Sequence, residues 1–183
     1  MISKKFDKNF YKYLKNPHDL IIEIAIRTGL RISDVLNLKV NQIKVAQPYI
    51  LERKSKKTRR IFLSKKLRTN LEFYALQQKR KDADFIFMND KTGKPYTRQA
   101  VYKAVKKAAA EVYGTKKHYS PHSARKTYVF SKQNSGMTIS NIQKKLNHDN
   151  LATTLIYINS DKLASDQDKE MKKNAKKGRK KNT

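Results

Sequence analysis

Apolar residues recur at helical spacing on either side of a stretch of shorter strand-like runs at 40–63. In KKFDKNFYKYLK, Phe6, Phe10, Tyr13 and Leu14 recur as on one helix face and predict a helix over 4–15. Asn16-Pro17 ends it, because proline crowds the residue before it out of helical geometry. Asp19 stands where it can cap a second helix, the almost wholly apolar LIIEIAIRT. That helix stops at Gly29, a residue suited to the left-handed turn that closes helices. Ser33 is placed to cap a short third helix, DVLNL.

Residues 40–63 change character. VNQIKV, YILER and RRIFL read as short strands of one small three-stranded antiparallel sheet. The KSKKT tip between the last two carries Lys54, Lys56 and Lys57, with Arg53, Arg59 and Arg60 on its arms. Helical period returns over 65–80, with Leu67, Leu71, Tyr74 and Leu76 assigned to one side. FIFMND is a short extended piece, and Lys91–Pro95 is a turn. Thr97 caps RQAVYKAVKKAAAEVY, which Gly114 closes; Lys103, Lys106 and Lys107 make a solvated or phosphate-facing stripe on it. Pro121 opens a helix to about residue 135, with Gly136 as its stop. Thr138 caps ISNIQKKL, and two more short helical stretches run through LATTLIYI and on from Ser160. The fold class is therefore α+β, mainly α-helical, with a small three-stranded antiparallel sheet.

Charge narrows the class of partner. Among 183 residues, 43 are Lys or Arg and 15 are Asp or Glu, a net charge of +28. Such an excess points to a polyanion: DNA, RNA or an anionic membrane surface. No apolar run approaches the ~20 residues of a membrane span, and the N-terminus lacks the apolar stretch of a secretion leader. With no cysteine, disulfides, zinc-thiolate sites and thiol nucleophiles are excluded. There is no GxxxxGK[ST] and no HExxH, and so few acids would hardly furnish a two-metal nuclease site. Chemistry on nucleic-acid phosphates would fall to Arg, Lys and His. The expected location is cytoplasmic and DNA-associated. From about residue 169 the chain is a basic tail too polar to pack, and it is expected to be disordered.

The candidate groups are individually unremarkable. Arg31, in Thr28-Gly29-Leu30-Arg31-Ile32-Ser33-Asp34, could simply be a surface or capping residue. His122 and Arg125 share a helix face three residues apart, as residues of a solvated basic face also would. His148 follows Leu146-Asn147, and Tyr157 stands among isoleucines, as a core tyrosine would. Lys54, at a charged tip, is solvated or touches a phosphate.

Their order is distinctive. TGLRISDVLNL, a lysine-bearing hairpin, HSARKT, and LNHDNLATTLIYI with its tyrosine nine residues after the histidine resemble the catalytic domain of tyrosine recombinases, the phage integrase and Xer group. The resemblance covers about 4–160 and implies a catalytic domain over 1–168 followed by the tail 169–183. It also implies a role for each matched residue. Arg31 and Arg125 would clamp the scissile phosphate. His122 would bond the phosphate and manage the tyrosine proton, and His148 would bond a non-bridging oxygen. Lys54 would protonate the leaving 5′ oxygen, although Lys56 and Lys57 are near enough to take that role. Tyr157 would attack, leaving a 3′-phosphotyrosyl enzyme without metal, ATP or other cofactor. Asp34 matches an acidic position of the family, and it either orients a catalytic side chain or serves as a charge at a helix start. The implied partners are double-stranded DNA, a homo-tetramer on paired sites, and accessory DNA-bending proteins, with no membrane. The family's usual N-terminal DNA-clamping domain has no counterpart before Arg31, which fits an excised catalytic domain or a short inversion-type recombinase. Three other functions compete with this one. They are a catalytically idle DNA-binding protein of the same fold, a type IB topoisomerase-like enzyme, and an RNA-binding protein that stacks bases on Tyr96, Tyr102, Tyr113 and Tyr119.

Overall fold

The computed structural model describes residues 6–114 and 119–147 of the chain. The predicted short helix LATTLIYI, the stretch from Ser160 and the basic tail 169–183 lie outside these residues. Helix α1 (Lys8–Tyr13) starts at Asp7, whose carboxylate accepts the Phe10 N–H at 2.9 Å. It turns Phe10 inward beside Phe6 and Leu14. Phe10 meets Tyr113 and Tyr119, which stack on each other at 4.8 Å.

Helix α2 (His18–Thr28) is the central element, burying Leu20, Ile21, Ile22, Ile24, Ala25 and Thr28. Pro17, not Asp19, holds its cap position, and Asp19 lies within the first turn. Its C-terminus closes on Gly29 at φ 68°, as the sequence predicts. Helix α3 (Ile32–Val35) is capped by Arg31 rather than Ser33. The Arg31 carbonyl takes the first bonds of the turn, from the Asp34 and Val35 N–H groups at 2.8 and 3.0 Å.

The sheet differs from expectation. Residues Val40–Ile43 form a short helix, α4, and not a strand. Val40 and Ile43, three apart, bury one helical face. The Gln42 side chain accepts the Lys39 N–H at 2.9 Å, while the Val40 and Asn41 N–H groups donate to the carbonyls of Asp84 and Asp82. These partners satisfy the first-turn donors that a helix leaves open. The remaining pair forms the expected hairpin: β1 (Tyr49–Leu51) runs antiparallel to β2 (Thr58–Arg60), with Ile50 opposite Arg59. A second small sheet pairs β3 (Met88–Asn89) with β4 (Lys94–Pro95) across the Lys91–Gly93 turn. Two two-stranded sheets thus replace the single three-stranded one among the described residues. The mainly helical α+β class stands.

Helix α5 (Lys65–Gln77), capped by Ser64, buries Leu67, Leu71, Tyr74 and Ala75. Leu76, assigned to that stripe from sequence, is 76% exposed. It falls about two and a half turns beyond Leu67, on the opposite side. Helix α6 (Arg98–Tyr113) runs from its Thr97 cap to Gly114, with Lys103, Lys106 and Lys107 exposed. Helix α7 (Pro121–Asn134) packs along α2. Helix α8 (Ile139–Leu146), capped by Thr138, ends at Asn147 in the left-handed region. One apolar core joins α1 to α6, and a smaller cluster of Tyr128, Val129, Ile142 and Leu146 seals α7 against α8.

Gly29 sits where these units meet. A Cβ there would come within 2.6 Å of the Tyr128 ring and 2.9 Å of Leu146, on a backbone already at positive φ. Gly93, also at positive φ, faces open space. Gly29→Ala should lower stability by about 2–5 kcal/mol, through left-handed strain plus overpacking. Gly93→Ala should cost only about 1–2 kcal/mol from strain alone. Denaturant unfolding of the two variants compares them, and equal losses would show that the close approach at Gly29 carries no weight.

Candidate active site

The C-terminal end of α2 collects positive charge. Arg125, on α7, is 1% exposed. Its Nη1 donates to the Gly29 carbonyl at 2.7 Å and its Nη2 to the Leu146 carbonyl at 2.8 Å. Arg59 faces inward from β2, and its Nη2 donates to the Thr28 carbonyl. Helix C-termini carry partial negative charge and unpaired carbonyls, so both guanidiniums find partners there.

Arg31 follows directly from this helix end and remains partly open, its side chain 24% exposed. Its Nη1 donates to Oε2 of Glu52 at 2.9 Å. Glu52, fully buried just past β1, also takes Nη1 of Arg59 on Oε1 at 3.3 Å and the Ser55 hydroxyl on Oε2 at 2.9 Å. One carboxylate thus joins two arginines and the hairpin turn.

Asp34 is buried in α3, with Oδ1 accepting the backbone N–H of Arg53 at 3.0 Å. Burial pushes its carboxyl above the usual range; the Arg53 N–H and the charges of Arg31 and Arg125 oppose that, while Glu52 adds to it. Its contact is with the backbone of the turn that carries Lys54. Lys54 itself is exposed in that turn.

His122 stands one turn before Arg125 on α7. Burial lowers its pKa below the ordinary imidazole value, and the positive charges of Arg125, Lys126 and Arg31 lower it further. The same two arginines therefore act on both His122 and Asp34. Arg31, Asp34, His122 and Arg125 share one electrostatic neighbourhood, and the turn bearing Lys54 is hydrogen-bonded to it. His148 and Tyr157 lie outside the described residues. Among the described residues, no group of three or more His, Asp or Glu side chains is placed to hold a metal ion.

Glu52 and Arg59 belong to this constellation, and the sequence reading did not select them as site residues. The signal was the two-residue period of the strands. Ile50 is buried, so Glu52 two residues on and Arg59 directly opposite Ile50 share its inward face.

The chain matches the phage integrase family over residues 4–163. It is 31% identical over 157 residues to a Bacillus subtilis (strain 168) protein named probable integrase/recombinase YoeC, covering 82% of each chain. It is also 31% identical over 150 residues to tyrosine recombinase XerD of Listeria innocua, spanning 78% of this chain but only 50% of that protein. Among solved structures it resembles the XerH recombinase bound to palindromic difH in a post-cleavage complex. There the TM-score is 0.70 at 21% identity, over 84% of this chain and 46% of that one. It also resembles the catalytic domain of bacteriophage HP1 integrase, with TM-score 0.61 at 21% identity over 87% and 86%. The chain spans about half the length of several curated relatives it matches.

Arg125→Lys keeps the charge but cannot reach the Gly29 and Leu146 carbonyls together, because an ammonium lacks the planar fork. It should lower stability by about 2–4 kcal/mol, the scale of two charge-assisted bonds with partial replacement. Thermal unfolding of the variant measures this, and an unchanged melting temperature would contradict the bridging role.

Proposed function

Because the chain belongs to the phage integrase family, we propose that it is a site-specific DNA recombinase that cuts and rejoins strands through a phosphotyrosyl intermediate. The observation that carries this proposal is Arg125 bonded to the C-terminal end of α2 from which Arg31 follows, with His122 one turn before Arg125 on α7 and a lysine-bearing turn tied to α3 and Arg31 by Asp34 and Glu52.

In the proposed reaction Arg31 and Arg125 hold the scissile phosphate. Their positive charge offsets the negative charge that builds on the phosphoryl oxygens in the transition state. The phenol oxygen of Tyr157 attacks phosphorus as the bond to the 5′ oxygen breaks. His122, kept neutral by its surroundings, takes the phenol proton. Lys54 gives a proton to the departing 5′ oxygen, and His148 bonds a non-bridging oxygen. The products are a 3′-phosphotyrosyl enzyme and a free 5′-hydroxyl. The bond energy stays in the phosphotyrosine, so a second DNA end can reverse the step without ATP. Residues 1–168 act as the catalytic domain, and the tail 169–183 adds salt-sensitive attraction to the duplex. Paired sites are joined by a homo-tetramer.

Packing weighs against the RNA-binding alternative. Tyr113 and Tyr119 stack on each other and on Phe10, and Tyr96 sits edge-on to His18. Of the four tyrosines offered for base stacking, Tyr102 is the one that is exposed, at 46%, and the other three are partly buried.

Covalent trapping tests the proposal. Nicked duplexes cut from the DNA flanking the gene should yield a protease-sensitive shifted band on a denaturing gel, and Tyr157→Phe should abolish the band while retaining DNA binding. Intact DNA binding with no adduct from the wild type would favour the idle fold, and plasmid relaxation without recombinants would favour the topoisomerase.

The pH profile gives a second prediction. The base form of His122 is lost only as pH falls through its lowered pKa. Cleavage should therefore hold its rate down through pH 7, with its acid limb below about 6.5. An acid limb above that value, unchanged in His122→Asn, would remove His122 from the proton transfer.

A further inference from the structure

Two buried carboxylates cross between α3 and the hairpin in opposite directions. Asp34 reaches from α3 to the Arg53 N–H in the turn, and Glu52 reaches from the hairpin to the Arg31 guanidinium at the start of α3. The Glu52 oxygen that receives Arg31 also receives the Ser55 hydroxyl. Of the residues on either side of Lys54, Arg53 is therefore tethered to α3 through Asp34, and Ser55 to Arg31 through their shared Glu52 oxygen. The backbone closes the same turn: the Glu52 N–H donates to the Lys57 carbonyl at 3.1 Å, and the Lys56 N–H donates to the Glu52 carbonyl at 2.9 Å. Lys56 takes φ 56°, a left-handed conformation that costs a non-glycine residue about 1–2 kcal/mol and persists only where neighbouring contacts impose it. Repulsion among the four cations at residues 53–57 works against one fixed shape, and the two backbone bonds and the two carboxylate tethers oppose it. Of Lys54, Lys56 and Lys57, Lys54 is the one flanked by both tethers.

We infer that Glu52 is a positioning residue that fixes the Lys54 turn against Arg31, so that the proton donor and the phosphate clamp keep one mutual geometry. This rests on the proposed strand cleavage with Lys54 as the donor to the 5′ oxygen. In that step the bond from phosphorus to the 5′ oxygen breaks, the bond from phosphorus to the Tyr157 oxygen forms, and the Lys54 ammonium proton moves to the 5′ oxygen. If sulfur replaces the bridging 5′ oxygen, the leaving thiolate needs no proton. A residue that acts by placing Lys54 then loses its importance, whereas one that acts through Arg31 or through the fold does not.

The experiment measures cleavage by the full chain on matched suicide duplexes with bridging 5′ oxygen or 5′ sulfur. The proteins are wild type, Lys54→Ala, Glu52→Gln and Ser55→Ala. On the oxygen substrate Glu52→Gln should slow cleavage by about 10- to 100-fold, the scale of a displaced catalytic group. Ser55→Ala, which leaves Arg31 and Arg59 paired, should slow it by about three- to tenfold, the scale of one hydrogen bond. On the sulfur substrate Ser55→Ala should come close to wild type, as Lys54→Ala should, and Glu52→Gln should recover the part of its deficit that runs through Lys54 while keeping the part that runs through Arg31. Equal deficits of Glu52→Gln and Ser55→Ala on the two substrates, with Lys54→Ala rescued, would overturn the positioning role alone. If Glu52→Gln fails to fold, Ser55→Ala decides by the same comparison. Failure of sulfur to rescue Lys54→Ala would overturn both the donor assignment and the inference drawn from it. A wild type that forms no adduct with either duplex would overturn the strand-cleavage proposal and the inference with it.

Discussion

Two guanidiniums donating to successive carbonyls, Arg59 to Thr28 and Arg125 to Gly29, tie the molecule together at the C-terminal end of α2. Burying two arginines is costly unless their donors are satisfied. The helix end supplies what is needed: carbonyls with no partner inside the helix and the negative pole of its dipole. The carbonyl of Gly29 is available because α2 stops there in a left-handed turn, and the lack of a side chain lets Tyr128 and Leu146 close over it. The second arm of Arg125 ends on the last carbonyl of α8. Helices α2, α7 and α8 and the β1–β2 hairpin are thereby fixed around one small volume, and the candidate catalytic groups lie on its rim.

Acid is scarce in this chain, and its placement here has a physical logic. Glu52 lies between Arg31 and Arg59, where without it the two cations would repel each other in a medium of low dielectric. Asp34 sits nearby but gives its bond to the hairpin backbone. The net result is a hydrogen-bonded set of charges with a set orientation, and for the proposed phosphoryl chemistry such preorganisation would be worth more than donors that must first be gathered. Burial, and after it the same positive field, lowers the pKa of His122 below the ordinary imidazole value and so favours its neutral form.

Local chemistry was legible in part, since the caps read at Asp19 and Ser33 fall instead to Pro17 and Arg31, and the contacts that join distant segments were not. Thr97 and Thr138 cap their helices and Gly29 and Gly114 end theirs as read, because a cap depends on residues within one turn. Residues 40–43 were misread because Val40 and Ile43 sit in a run rich in β-branched residues, and only the Asp82 and Asp84 carbonyls across the fold settle that segment as helix. Arg31, His122 and Arg125 were singled out as candidates through their joint pattern and the resemblance it carries, since each alone passes for a surface residue. Glu52 and Arg59 were hidden for a different reason. In a hairpin crowded with charge, one inward acid and one inward base look like two more solvated side chains, and pairing the strands in register reveals their shared face. The sequence alone still carries the assignments of His148 and Tyr157.

Arg31 shows why this position calls for a guanidinium. One of its edges points inward, where Nη1 holds the buried Glu52, while the side chain stays about a quarter exposed. A guanidinium has five donors in a rigid plane, so committing one to a carboxylate leaves others aimed along a direction that the first bond has set. A lysine ammonium, one rotating point charge, would have to choose between the buried acid and an incoming phosphate. The inward bond limits the outward part: Glu52 restricts the mobility of Arg31 in advance, so that in the proposed reaction the solvent-facing part of the guanidinium would need little further ordering to meet a phosphate.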